Sequence, residues 1–126
     1  MDYKTYNSIA LAFLGDAVYE RFIRERILRH GSVGADRMHR EAVRYVKAAA
    51  QEQSLRALAD ELTKTEADVV RRARNHKITS KPKNADPVTY KMATAFEALL
   101  GYLYLDGQEE LLQAVMERAA RVIEEA

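Results

Sequence analysis

Apolar residues near the start of the chain recur at the period of a helix. Ile9, Phe13, Leu14, Val18, Phe22, Ile23 and Ile27 stand four residues apart or side by side, a spacing that gathers them on one broad face of an α-helix. The same period returns downstream. No segment alternates with the period of two that a half-buried strand requires. Only 5 Gly and 2 Pro occur in 126 residues, too few for a chain rich in tight turns. The fold class this predicts is all-α, with about six helices and no sheet.

Punctuation divides the pattern. Asn7 or Ser8 is placed to cap the first helix, which runs through the residues just named. The two-glycine stretch "HGSVGAD" reads as a loop, and Asp36 as the start of the next helical segment. Met38, Val43, Val46, Leu55, Leu58 and Leu62 face inward along that segment, with a break expected near Ala50. Thr65 is the expected cap of "EADVVRRARNHK", whose Glu66 and Asp68 suit the positive end of the helix dipole. "ITSKPKNADP" holds both prolines and is the one loop of any length. A strongly apolar helix from Val88 to Leu105 follows, stopped by Asp106-Gly107, and an amphipathic helix closes the chain. With no internal linker or repeat, residues 1–126 read as one domain.

Composition sets the class. Hydrophobic residues make up 48% and charged residues 31%, the balance of a folded globule rather than a disordered chain. No run of 18 apolar residues is present, so no membrane-spanning helix is expected. The N-terminus lacks the basic and then apolar regions of a signal peptide. Without Cys there is no disulfide or thiolate metal site, which fits a reducing, cytoplasmic setting.

Two acids stand where acids are costly. "LAFLGDAVYE" sets Gly15 and Asp16 inside an apolar helix, and "ATAFEALLGYLYL" carries Glu97 as its lone charge, with Gly101 one turn later on the same face. Gly in a helix interior costs about 1 kcal/mol relative to Ala. A carboxylate in an apolar stripe costs more unless it is paired or binds a metal. Either both acids meet a buried Arg or Lys, or they share one hard cation. Mg²⁺ is satisfied by one or two protein carboxylates, with water and phosphate oxygens as its other ligands. Glycine beside each acid permits close approach of a backbone or a ligand. Glu20, one turn after Asp16, either joins such a site through water or pairs with Arg24 at i+4.

The basic residues cluster too. Between Arg71 and Lys91 seven cations face the single acid Asp86, in a chain whose net charge is only +1. Such a block points to a local polyanion contact, and it leads directly into the helix bearing Glu97. Arg71, Arg72, Arg74, Lys77, Lys81 and Lys83 are the candidate residues for contact with phosphate groups. His30, His39 and His76 are too scattered for a metal cluster.

"FLGDAV", followed about 80 residues later by "FEALLGYLYLDG", resembles the ribonuclease III catalytic domain, whose signatures have the forms E-x-x-E-F-L-G-D-[AS]-V and D-x-x-E-A-L-x-G-x-x-Y-L-D. The likeness runs from about Ile9 to Gly107. It is greatest to the Mini-ribonuclease III family, which consists of the catalytic domain without a double-stranded-RNA-binding domain. The resemblance implies the ribonuclease III endonuclease-domain fold, of about six to seven helices. It implies Asp16 and Glu97 as catalytic residues and Mg²⁺ ligands. Other acids of the family pattern are replaced here by Ile9, Ala12 and Thr94, so water and RNA oxygens are expected to complete the metal shell. It also implies a homodimer, with Phe13, Leu14 and Val18 as candidate interface residues. The activity it implies is Mg²⁺-dependent cleavage of double-stranded RNA, with a role in maturing 23S ribosomal RNA precursor; it makes Arg71, Arg72, Arg74, Lys77, Lys81 and Lys83 the expected RNA-binding residues, since duplex RNA is read mainly through phosphates, 2′-hydroxyls and shape. The rival readings are a non-catalytic RNA-binding helical dimer and a helical module for an acidic protein partner.

Overall fold

The computed structural model describes residues 2–77 and 84–126. Six α-helices make up the described fold: α1 (Ser8–Arg29), α2 (Ala35–Val46), α3 (Ala48–Leu58), α4 (Lys64–Arg74), α5 (Pro87–Leu105) and α6 (Glu109–Glu124). Single 3₁₀ turns precede α1 at Tyr3–Thr5 and follow α3 at Ala59–Glu61. There is no strand among the described residues, in accord with the absence of period-two patterning. None of their helices is long and apolar enough to cross a membrane.

Local chemistry sets the helix ends. Asn7 Oδ1 accepts from Ala10 N at 2.9 Å and caps α1. α5 starts with Pro at its first position, while Asp86 Oδ1 accepts from the backbone N–H groups of Val88 and Thr89. It ends where Gly107 turns left-handed, at φ 73°. Three expectations are corrected. α2 begins at Ala35, behind Gly34, rather than at Asp36. The break in the long second segment falls at Lys47, whose extended backbone (ψ 152°) separates α2 from α3, and not near Ala50. Thr63, not Thr65, caps α4. Its hydroxyl accepts from Glu66 N while Glu66 Oε1 accepts from Thr63 N, a reciprocal box that needs a Thr-x-x-Glu spacing.

α5 is the central element, packed by α1, α3, α4 and α6. Ala95, Phe96, Ala98, Leu99, Leu100 and Leu103 are completely buried along it. α1 crosses it at backbone contact. A Cβ on Gly15 would fall inside the carbonyl of Glu97, and a Cβ on Gly101 inside the carbonyl of Leu11. The two glycines therefore admit a neighbouring backbone. Beyond the crossing, Tyr19 meets Phe96 edge-on at 5.0 Å and stacks with Phe22 at 6.1 Å between centroids.

The face of α1 that enters this core differs from the one expected. Leu11, Ala12, Gly15, Tyr19, Phe22, Ile23, Arg26 and Ile27 are buried. Ile9 is 48% and Phe13 83% exposed, while Leu14 and Val18 are half-buried. The apolar residues of α1 thus form two stripes, and only one faces α5. In α2, Val43 lies outward and Tyr45 inward, a reversal of the expectation for Val43.

At the far end of α1 a polar network ties three helices. Arg26 donates through Nε and an Nη to both oxygens of Glu124, at 2.7 and 2.8 Å, and through its other Nη to Glu117 at 2.6 Å. Tyr45 Oη donates to the same Glu124 at 2.7 Å. These bonds hold the Glu124 carboxyl down at about 2, with the Arg26 hydrogen bond the leading cause.

Two predictions follow from these contacts. Gly101→Ala should destabilise the fold by roughly 3 kcal/mol or more, at or beyond the usual overpacking range, although Ala is the better helix former by about 1 kcal/mol. Denaturant midpoints that rise in this variant would contradict the backbone contact. Glu124 is depressed in the folded state, so its contribution is complete above its ordinary value near 4.5 and is lost as pH falls toward about 2. The melting temperature of Glu124→Gln should trail the wild type at neutral pH and meet it near pH 2.

Candidate active site

The crossing that removes two Cβ atoms also brings two carboxyl groups together. Asp16 follows Gly15 on α1, and Glu97 supplies the very carbonyl that Gly15 packs against. Their side chains meet at the edge of this contact. Asp16 is exposed and Glu97 half-buried, and Asp16 is near enough for its charge to act on Glu97. Burial, then the neighbouring Asp16, pushes the Glu97 carboxyl up to about 8. Metal-free at neutral pH, Glu97 therefore holds a proton that an ordinary glutamate would have lost.

No described Arg or Lys pairs with either acid. The one buried arginine, Arg26, is bound to Glu117 and Glu124. The simple alternative of a buried salt bridge thus does not describe these residues. Glu20 pairs with Arg24 at 3.5 Å, as its i+4 spacing allows, and its charge still adds to the raised value at Glu97.

Two facing carboxyls with no cation beside them, one of them driven to hold a proton by burial, suit a hard divalent ion. Such an ion would displace the proton and balance the charge. The remaining positions of the family pattern add no ligand. Ala12 is buried, and the Thr94 hydroxyl donates back to Tyr90 O of its own helix at 3.0 Å. No group of three or more potential metal-ligating side chains occurs among the described residues. The arrangement offers two protein carboxylates, Asp16 and Glu97.

One neutral side chain reaches into this pair from α3, and sequence reasoning passed over it. Gln51 is 3% exposed, and its Nε2 lies 3.5 Å from Glu97 Oε2. A single amide in the polar run "QEQSLR" carries no chemical signature. Its one sequence signal is position, on the stripe Ala50, Ser54, Leu55 and Leu58 that faces the core.

The basic candidates divide. Arg71 is exposed and pairs with Asp68 at 3.3 Å. Arg74 and Lys77 are exposed at the end of α4 and beyond it. Arg72 is committed to the fold: its guanidinium donates to the carbonyls of Lys4, Thr5 and Tyr6, tying the N-terminal turn to α4. Lys81 and Lys83 lie outside the described residues. The interface candidates keep apolar surface outward, Phe13 most of all.

The sequence profile of the ribonuclease III domain matches residues 9–108, a span that holds both acids and both crossing glycines. A Mini-ribonuclease 3 from Symbiobacterium thermophilum is 52% identical, over 95% of this chain and 92% of its own length. Another, from Streptococcus pneumoniae, is 39% identical over 98% of both. A crystal structure of a Fusobacterium nucleatum protein superposes with a TM-score of 0.84 at 29% identity, covering 95% of this chain and 96% of that one. Profile, relatives and backbone thus converge on one conclusion: the chain belongs to the ribonuclease III family, in its Mini-ribonuclease III branch.

Proposed function

We propose that the protein is a Mg²⁺-dependent endoribonuclease that cleaves double-stranded RNA, with 23S ribosomal RNA precursor in the bacterial cytoplasm as its substrate. The observation that carries this reading is the convergence of Asp16 and Glu97 from two helices with no basic partner among the described residues. The relatives' common name, a ribonuclease, supports the reaction class.

In this reading Asp16 and Glu97 hold the cation through their carboxylate oxygens. When bound, such an ion activates water and stabilises charge on a phosphodiester. Glu97 would supply the half-buried oxygens of such a site, and Asp16 the exposed ones. Arg71, Arg74 and Lys77, with Lys81 and Lys83, contact phosphates of the duplex. Arg72 serves that surface by fixing α4 on the N-terminal turn.

The outward stripe of α1 supports a homodimer. Phe13, with Leu14 and Val18 beside it, is the contact we assign to the two-fold axis. An isologous pair presents two copies of the site, one for each strand of a duplex of near two-fold symmetry.

Cleavage of a long RNA duplex is the direct test. Wild-type protein should cut it in Mg²⁺ and stop in chelator. Asp16→Asn and Glu97→Gln should each lower the rate by at least about 100-fold while still binding the duplex, because the charge that stabilises the reacting phosphate is weakened. Binding without cutting by the wild type would leave the non-catalytic RNA-binding dimer as the correct reading. Sedimentation of Phe13→Glu should show a monomer where the wild type is a dimer. Identical sedimentation of the two would remove Phe13 from the interface.

A further inference from the structure

α3 meets α5 at two polar points, and one of them is Glu97. Near the start of α5, Thr89 donates its hydroxyl to Glu52 Oε1 at 2.7 Å, and Glu52 is held in turn by Arg56 at 2.7 Å. Two turns further along α5, Gln51 points its amide at Glu97. The first contact fixes the register of the two helices, and the second uses it.

Gln51 sits in an unusual environment for its type. It is 3% exposed, on a helix whose buried neighbours are Ala50, Ser54, Leu55 and Leu58. A buried amide costs stability unless its donors and acceptors are used. Ser54, one turn later, is satisfied within the core by donating to Ala119 O at 2.9 Å. Gln51 instead spends its donor on Glu97. At 3.5 Å that contact lies at the outer edge of hydrogen-bond range. Such contacts are often long in a free active site and shorten in the loaded one. An amide is also the right chemistry for this place. It orients a carboxylate oxygen by donation without adding a positive charge that would compete with a cation.

We infer that Gln51 is the positioning residue of the site: its buried amide holds one oxygen of Glu97 so that the other, with Asp16, is presented to the divalent cation. This inference rests on the cation-binding reading of Asp16 and Glu97. It assigns to a neutral side chain on a third helix part of the constraint that further acids would otherwise supply, where Ala12 and Thr94 supply none. Partners of this kind typically alter metal affinity or activity by about 10- to 100-fold when removed.

The test uses Gln51→Met, which keeps length and loses the donor, beside Ser54→Ala, which removes a buried α3 hydrogen bond remote from Glu97. Mn²⁺ is titrated into each protein by calorimetry. Duplex RNA binding is measured in chelator, and cleavage across a Mg²⁺ series. Gln51→Met should weaken Mn²⁺ binding about tenfold or more and raise the Mg²⁺ concentration for half-maximal cleavage to match. Its RNA affinity in chelator should stay at the wild-type value. Ser54→Ala should melt at lower temperature with wild-type cation dependence. If Gln51→Met is unfolded at the assay temperature, Gln51→Asn, which withdraws the amide by one methylene, takes its place with the same expectation. Wild-type Mn²⁺ affinity in the Gln51 variant, or an equal loss in Ser54→Ala, overturns the inference. A wild type that binds Mn²⁺ through Asp16 and Glu97 but cuts no RNA would overturn the proposed reaction alone, and the calorimetric comparison would still decide the role of Gln51.

Discussion

The backbone of α1 touches the backbone of α5, and most of the molecule is arranged around that contact. Helices separated by ordinary side chains stand 8–10 Å apart. Gly15 and Gly101 remove the side chains at the crossing, so each helix meets a carbonyl of the other. The consequences are structural and chemical at once. Around the crossing, α5 becomes buried on nearly every side, and its Ala95, Ala98 and Leu99 need only apolar neighbours. At its rim, Asp16 and Glu97 are forced into each other's company, and burial leaves Glu97 short of a compensating cation. Stability is given up at this point in a way that local rules of helix composition would not predict.

The rest of the fold protects that geometry from two directions. At one end of α1, Arg26 gathers Glu117 and Glu124 from α6, and Tyr45 from α2 joins through Glu124. This consumes the one buried arginine among the described residues. At the other end, Arg72 draws the carbonyls of Lys4, Thr5 and Tyr6 onto α4. The basic C-terminal turn of α4 is thereby fixed relative to the start of α1.

Much of this was legible in the residues. Helical period, the scarcity of Gly and Pro, and the two lone acids gave the fold class and the candidate site. Each misreading has a physical cause. Ile9 and Phe13 share the helical period of core residues, and periodicity cannot distinguish a stripe that faces the core from one that faces outward. Arg72 belongs to a basic run, and charge alone gives no sign that its guanidinium also holds the backbone carbonyls of Lys4, Thr5 and Tyr6. The Thr63–Glu66 box was available in the spacing, yet Thr65 stood nearer to the apolar pattern. Gln51 left only its position on the inward stripe, because its meaning arises when α3 is laid across α5.

The distance between the two acids is gauged by main-chain atoms. Core side chains elsewhere can be exchanged for others of similar volume, with the helices shifting slightly to suit. The crossing itself has no side chain to exchange, so those shifts pivot about it and leave the rim of the crossing nearly still. Sequence drift across most of this small core is therefore decoupled from the spacing on which the chemistry depends. At the crossing itself two positions, each already the smallest residue available, set how near the two helices come.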